Sequence, residues 1–355
     1  MKKAYDIYII HIFKIFFILI SLVGLIAFPK EIGNGVKSGL LLLGDSIIPA
    51  LFPFMVFASY IAFSPYSDRI SMLLKKPAQK LFSTNGNGLT AVILGILGGY
   101  PIGAKTVAEY YQQGFLSANE AHRIIPWCVN PSPAFVITAT GTFLLRNTKS
   151  GVIIYISVIL ASLTIGVFNR FIKIDCEKNE KTNISPLMQK DVFINSVASA
   201  SKAMLAICGW VLTFSALCAG FDCLTDNEHL SLLIKSIAEV TNGCRLAAEE
   251  GLSLPLICAI TSFGGFAVIF QVSPYLQICS YNLRVFICWR LLSAALSAFY
   301  CSVFIRLFPD AQSVYRVISV ADKSFTVSHS ISAAVILLIT CVVLILEVDN
   351  KRKVW

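Results

Sequence analysis

Two stretches of the chain repeat one pattern that can hold an anion. Gly103-Ala104-Lys105-Thr106-Val107-Ala108-Glu109 aligns with Gly243-Cys244-Arg245-Leu246-Ala247-Ala248-Glu249, with small residues, a cation, an alanine and a glutamate in the same order. The first copy follows Gly98-Gly99-Tyr100-Pro101. Paired glycines permit a chain reversal there, and Pro101 suits the first turn of a new helix. The second copy has Thr241 or Asn242 as its cap. A helix start offers free N–H groups and a positive dipole end, and Lys105 and Arg245 each add a full charge one turn in. Two cationic helix starts, with Gly99, Tyr100 and Asn242 beside them, suit a solute carrying two carboxylates. The plainer alternative is that Lys105 and Arg245 pair with Glu109 and Glu249 four residues on, or snorkel to an interface. Spacing leaves both open.

Two further places can contribute polar groups. Asn130-Pro131-Ser132-Pro133 interrupts helical backbone where a span begins, so Asn130, Ser132 and freed carbonyls can coordinate a solute or ion. Ser262 and Gln271, around Gly264-Gly265, give the matching place later in the chain, although paired glycines also serve helix packing. Asp45 and Lys202 lie at similar depth in two long apolar runs. They either pair, or Asp45 carries a coupling ion, or Asp45 is simply hydrated near a span end. No HExxH, GxSxG or Walker A motif occurs, so no enzyme is expected. Of 11 cysteines, none forms a CxxC pair, and neither metal nor cofactor is expected.

The elements that must position these residues are membrane spans. Of 355 residues, 56% are hydrophobic and 14% charged, and the mean hydropathy is +0.74. A soluble domain carries about 25% charge. The net charge of +9 is spread over short loops between apolar runs, which argues against nucleic-acid binding. A span needs about 20 apolar residues. Eight runs qualify: 7–28, 38–63, 126–145, 150–170, 192–221, 252–272, 284–308 and 330–348. The first is read as an uncleaved span, because no small-x-small site follows it.

Residues 89–100 and 229–240 are too short or too weakly apolar to cross. Loops 64–88 and 170–190 and the tail Lys351-Arg352-Lys353 are basic, and 222–250 is acidic. Basic loops inside place both termini in the cytoplasm and 222–250 outside. That holds only if 89–100 and 229–240 dip in and return. The expected fold is an all-α polytopic membrane protein of about eight transmembrane helices plus two re-entrant segments, as an inverted structural repeat. Its parts are an extra span (1–37), a first repeat (38–172), a cytoplasmic linker (173–191), a second, inverted repeat (192–308) and a C-terminal span with basic tail (309–355). Inverted repeats with broken helices at the midplane are the architecture of many secondary transporters.

The run Gly98-Gly99-Tyr100-Pro101-Ile102-Gly103-Ala104-Lys105 resembles the signature of the sporulation integral membrane proteins of the YlbJ (SpoVV) type, which carry the nucleoside-recognition or Gate domain. Pro49-Ala50-Leu51-Phe52-Pro53-Phe54, Glu239-Val240-Thr241-Asn242-Gly243 and Ser262-Phe263-Gly264-Gly265 followed by Gln271 fit the same family. The resemblance spans residues 38–308. It implies a multi-pass protein of the bacterial cell membrane, kinship with nucleoside transporters and, in sporulation members, transfer of the dicarboxylate dipicolinate across the outer forespore membrane. The expectation is a secondary transporter or facilitator of a small organic anion. A nucleoside carrier, a non-transporting assembly factor for spore maturation and a homo-oligomer stay open.

Overall fold

The computed structural model describes residues 26–64, 66–172, 191–222 and 228–308. Most of the expected first span, the linker, the span at 330–348 and the basic tail lie outside the described residues. Within them every regular element is a helix. Helix α1 (Pro29–Leu42) runs through a π-type turn (Leu43–Ile47) into α2 (Ile48–Phe63). Then follow α3 (Tyr66–Phe82), α4 (Gly86–Gly98), α5 (Tyr100–Gln112), α6 (Ala118–Cys128), the π-wound α7 (Ala134–Leu144) and α8 (Thr148–Asn169). The later part contains α9 (Val192–Asp222), α10 (Glu228–Ala238), α11 (Val240–Glu249), α12 (Leu254–Phe263), α13 (Gly265–Ile278) and α14 (Leu283–Leu307).

Polar caps fix where several helices start. Asn85 accepts from Gly88 N at 2.9 Å to open α4. Ser117 and Glu120 form a capping box on α6, and Asn282 accepts from Arg284 N at 2.9 Å to open α14. Each satisfies backbone donors that a helix start leaves free.

Helix α14 shows what solvent the fold is made for. Its buried residues, Phe286, Arg290, Ser293, Ser297, Cys301 and Ile305, recur every three or four positions. Val285, Leu291, Leu292, Phe299, Val303 and Leu307 are exposed. The polar groups point inward and the apolar ones outward, the reverse of a soluble amphipathic helix. Phe57, Leu73, Phe143 and Phe168 extend the same exposed apolar surface. Such a surface matches lipid, where every polar group must be satisfied internally. The chain is a helical, multi-pass membrane protein.

By length and composition, four helical stretches among the described residues can cross a bilayer: α8, α9, α12 with α13, and α14. The α3–α4 pair, bent by 93°, makes a fifth if counted as one crossing. Of the expected spans, 38–63 is helical throughout, and 126–145 is broken at the prolines, where the sequence predicts an interruption. The first is wound locally as a π-type turn at Leu43–Ile47, and the second is interrupted between α6 and α7, where Pro131 and Pro133 lack the N–H that a helix needs.

Two apolar clusters hold the helices together. One joins α4, α5, α6 and α8 to α11–α14 through residues such as Val92, Ile124, Ile154, Ile257 and Phe286. The other packs α1–α2 on α9 through Leu43, Met55, Met204 and Val211, with Leu94 and Ile102 linking it to α4 and α5.

Candidate functional site

Four helix breaks converge on one place. Between α4 and α5 the chain passes through Gly99 at φ 98°, a conformation that favours glycine. Residues 129–133 separate α6 from α7. Glu239, in extended conformation, separates α10 from α11. Gly264 and Gly265, at φ 82° and 76°, separate α12 from α13. The breaks lie in van der Waals reach of one another. A Cβ on Gly99 would stand 3.4 Å from Ser132 Cβ, one on Gly264 would stand 3.3 Å from Tyr100 Cε1, and one on Gly265 would stand 3.1 Å from Ala238 O.

Each break frees backbone groups, and named side chains take them up. At the end of α6, Trp127 O accepts from Asn130 Nδ2 at 2.9 Å and from Ser162 Oγ at 2.7 Å. At the end of α12, Thr261 O accepts from the Tyr100 hydroxyl at 2.6 Å. Arg290 joins the two ends. Its Nη1 donates to Val129 O at 2.5 Å, its Nε to Phe263 O at 3.2 Å, and its Nη2 to Ser262 O. The guanidinium thus faces the negative ends of two helices from its place on α14. At the starts, Ser132 Oγ accepts from Phe135 N at 3.2 Å to cap α7. The Glu239 carboxylate accepts from Thr241 N at 2.9 Å and Asn242 N at 2.7 Å to cap α11.

Between the breaks lies a partly open pocket of about 510 Å³, its open mouth included. Its polar lining is Gly98, Gly99, Tyr100, Ser132, Glu239, Thr241 and Gln271. Apolar walls come from Ile47 and Leu51 beside the π-type turn, Ile207 and Val211 of α9, and Ala267 and Val268 of α13. A second space of about 380 Å³ shares Ile47, Leu51, Phe135 and Thr241 with the first.

Of the residues singled out from sequence, Gly99, Tyr100, Ser132 and Gln271 line this cavity. Asn130 and Ser262 are buried beside it and spend their polar groups on structure, Ser262 Oγ lying 2.9 Å from Ser293 Oγ. Asn242 donates through Nδ2 to Ser215 Oγ at 3.5 Å. The two cations are not brought together. Lys105 bonds Ser199 of α9 and lies 3.8 Å from Glu109. Arg245 is exposed and holds Glu249 at 3.1 Å. Both follow the intrahelical pairing that the sequence also allowed. Asp45 is exposed on the π-type turn and, among the described residues, makes no ion pair with Lys202, which is exposed on α9. Replacing Arg245 with alanine is therefore expected to leave solute uptake within about twofold of wild type, since an exposed pair contributes little. Initial uptake rates in vesicles would check this.

Two residues of the site escaped sequence reasoning. Glu239, 2% exposed, counted as part of an acidic outer loop. Carrying the repeat four residues upstream sets Glu239 opposite Gly99, so both are helix caps at the same register. Arg290 stands within the apolar run 284–308, and an ionisable residue inside a span is itself a signal of function or of freed backbone.

Comparison with known proteins finds the sporulation integral membrane protein YlbJ of Bacillus subtilis (strain 168), 22% identical over 325 residues that cover 80% of this chain and 79% of the relative. No family model matches the chain, and no solved structure matches it. Over most of its length the chain is therefore similar to a sporulation integral membrane protein of the YlbJ type.

Proposed function

We propose that the chain is a secondary transporter or facilitator of a small organic solute, which binds where the four helix breaks meet. The observation that carries this reading is that convergence on a cavity whose mainly apolar lining holds a few polar groups. Irregular backbone at membrane depth is tolerated only where it packs on protein or lines a cavity, and discontinuous helices at the midplane form the sites of many transporters. A purely structural membrane component has no need for polar groups around empty space.

The architecture behind this reading is an inverted repeat of residues 38–172 and 192–308. In its favour, a long apolar stretch, two broken helix pairs and a closing span follow in the same order twice: α1–α2, α4/α5, α6/α7, α8, and then α9, α10/α11, α12/α13, α14. Eight spans, two re-entrant pieces and cytoplasmic termini complete the topology. The relative's name supports a role in sporulation, and the outer forespore membrane is the site of action in this reading.

For the solute, a planar organic dianion such as dipicolinate is the first choice. Arg290 contributes a buried positive charge at the breaks, bonded only to carbonyls. The lining favours a second reading, since Glu239 and Gln271 also match the hydroxyl and amide groups of a nucleoside. The test is uptake of labelled dipicolinate by vesicles containing the full chain, with uridine as competitor. Gln271→Leu is expected to lower uptake about tenfold, the equivalent of one lost hydrogen bond of about 1.4 kcal/mol. Competition by uridine would favour the nucleoside reading. Uptake of neither solute above protein-free vesicles would favour an assembly role.

A further inference from the structure

A cavity for an organic anion that is lined by a carboxylate poses a problem of charge. Among the described residues no basic side chain lines it, and Glu239 lies 2% exposed on its wall. Two like charges so close together repel. The groups facing Glu239 do not remove its charge. Tyr100 stands opposite on α5, Cys218 faces it from α9 and Cys244 from its own helix α11. Gln271 and Val268 of α13 line the same space. Lys235 of α10 is committed to Asp222 at 2.6 Å.

The carboxylate's present work is to cap α11, with one oxygen on Thr241 N and the other on Asn242 N. At the register-equivalent position of the other broken pair stands Gly99, which has no side chain to offer. The cap is therefore peculiar to one of the two related breaks, and it is the one that carries a titratable group into the cavity.

We infer that Glu239 is the proton-binding residue of the cavity, giving up the Thr241 and Asn242 amides to a carboxylate of the solute as it takes up a proton. This rests on the transport reading above and names the coupling ion of that same site. One proton joins a Glu239 oxygen, the two N–H···O bonds and the Thr241 hydroxyl bond to Glu239 break, and the same three donors turn to the incoming carboxylate. Proton and anion enter together: one solute carboxylate replaces the Glu239 charge on those amides, and the second carboxylate of a dianion adds one net negative charge. Binding is favoured as pH falls, because the anion-competent state is the protonated one.

The experiment uses the purified full chain in detergent, with dipicolinate as probe over about pH 6 to 9, where simple carboxylic acids stay ionised. Expected are a Kd that rises about tenfold per pH unit above the titration of Glu239, and uptake of about one proton per anion bound, read with an indicator dye in weak buffer. In E239Q the Kd should become independent of pH, and counterflow exchange in vesicles should persist without accumulation driven by a pH gradient. Should E239Q fail to fold, the proton count on the wild type still decides. Wild-type binding with a flat pH profile and no proton uptake overturns the inference and leaves the transport reading standing. If the wild type neither binds nor moves dipicolinate or uridine at any pH, the transport reading falls and the inference with it.

Discussion

Replacing Arg290 with methionine is expected to destabilise the protein by about 3–5 kcal/mol, the usual cost of removing one partner from a buried charged network. The loss arises at three carbonyls. Val129, Ser262 and Phe263 all accept from this one guanidinium, and each left bare in a dry interior costs about 1–3 kcal/mol. Against this stands the gain from no longer burying a charge, so the net falls below the simple sum. Because Val129 follows α6 and Ser262 and Phe263 end α12, the two broken helices would lose a shared anchor together. Thermal unfolding in detergent would check this, with a midpoint well below wild type expected for Arg290→Met. Arg290→Lys should fall between, since an ammonium keeps the charge and loses the planar fork that reaches three carbonyls. A methionine variant that melts with the wild type would show that the carbonyls find other partners.

The second large effect is expected at Gly103. A Cβ there would lie 1.9 Å from Cys128 O and 2.8 Å from Cys128 C, and a Cβ on Gly95 of α4 would lie 2.3 Å from the same carbonyl oxygen. Three helices thus meet backbone to backbone at Gly95, Gly103 and Cys128. No flexible side chain can yield, so Gly103→Ala should cost about 3 kcal/mol, the upper end for overpacking. It should also shift the start of α5, where Tyr100 reaches Thr261 O, and so lower solute binding. Gly209→Ala on α9 is the control. Nothing lies within 4 Å of its Cβ position, and alanine should raise stability by up to about 1 kcal/mol through helix propensity. Equal melting of the two variants would contradict the close-packing account.

These two positions also show what part of the site could be read without coordinates. The glycine of the repeated motif is needed in both copies for close approach. At Gly243 a Cβ would stand 2.6 Å from Ser236 Cα, as α11 packs on α10. The repeat was legible because such packing admits only the smallest residue. The cations beside it were legible as charges but not as directions. Lys105 and Arg245 lie five residues beyond Tyr100 and Val240, which at 3.6 residues per turn is about 140° around the helix. They therefore face away from a cavity that Tyr100 and Val240 line.

By itself the sequence determined that this is a helical membrane protein, where several of its helices break, and that a similar short motif follows two of the breaks. Those features follow from local chemistry: too little charge to cover a soluble surface, prolines without N–H groups, and glycines free of Cβ. Only the tertiary structure decided that the four breaks share one cavity, that Glu239 lies in its wall, and that Arg290 serves carbonyls of both broken helices. Such facts depend on residues more than 100 positions apart, as between Arg290 and Val129. Hydropathy counts a buried carboxylate and a loop carboxylate alike, whereas the fold distinguishes them by the hydrogen bonds each must find.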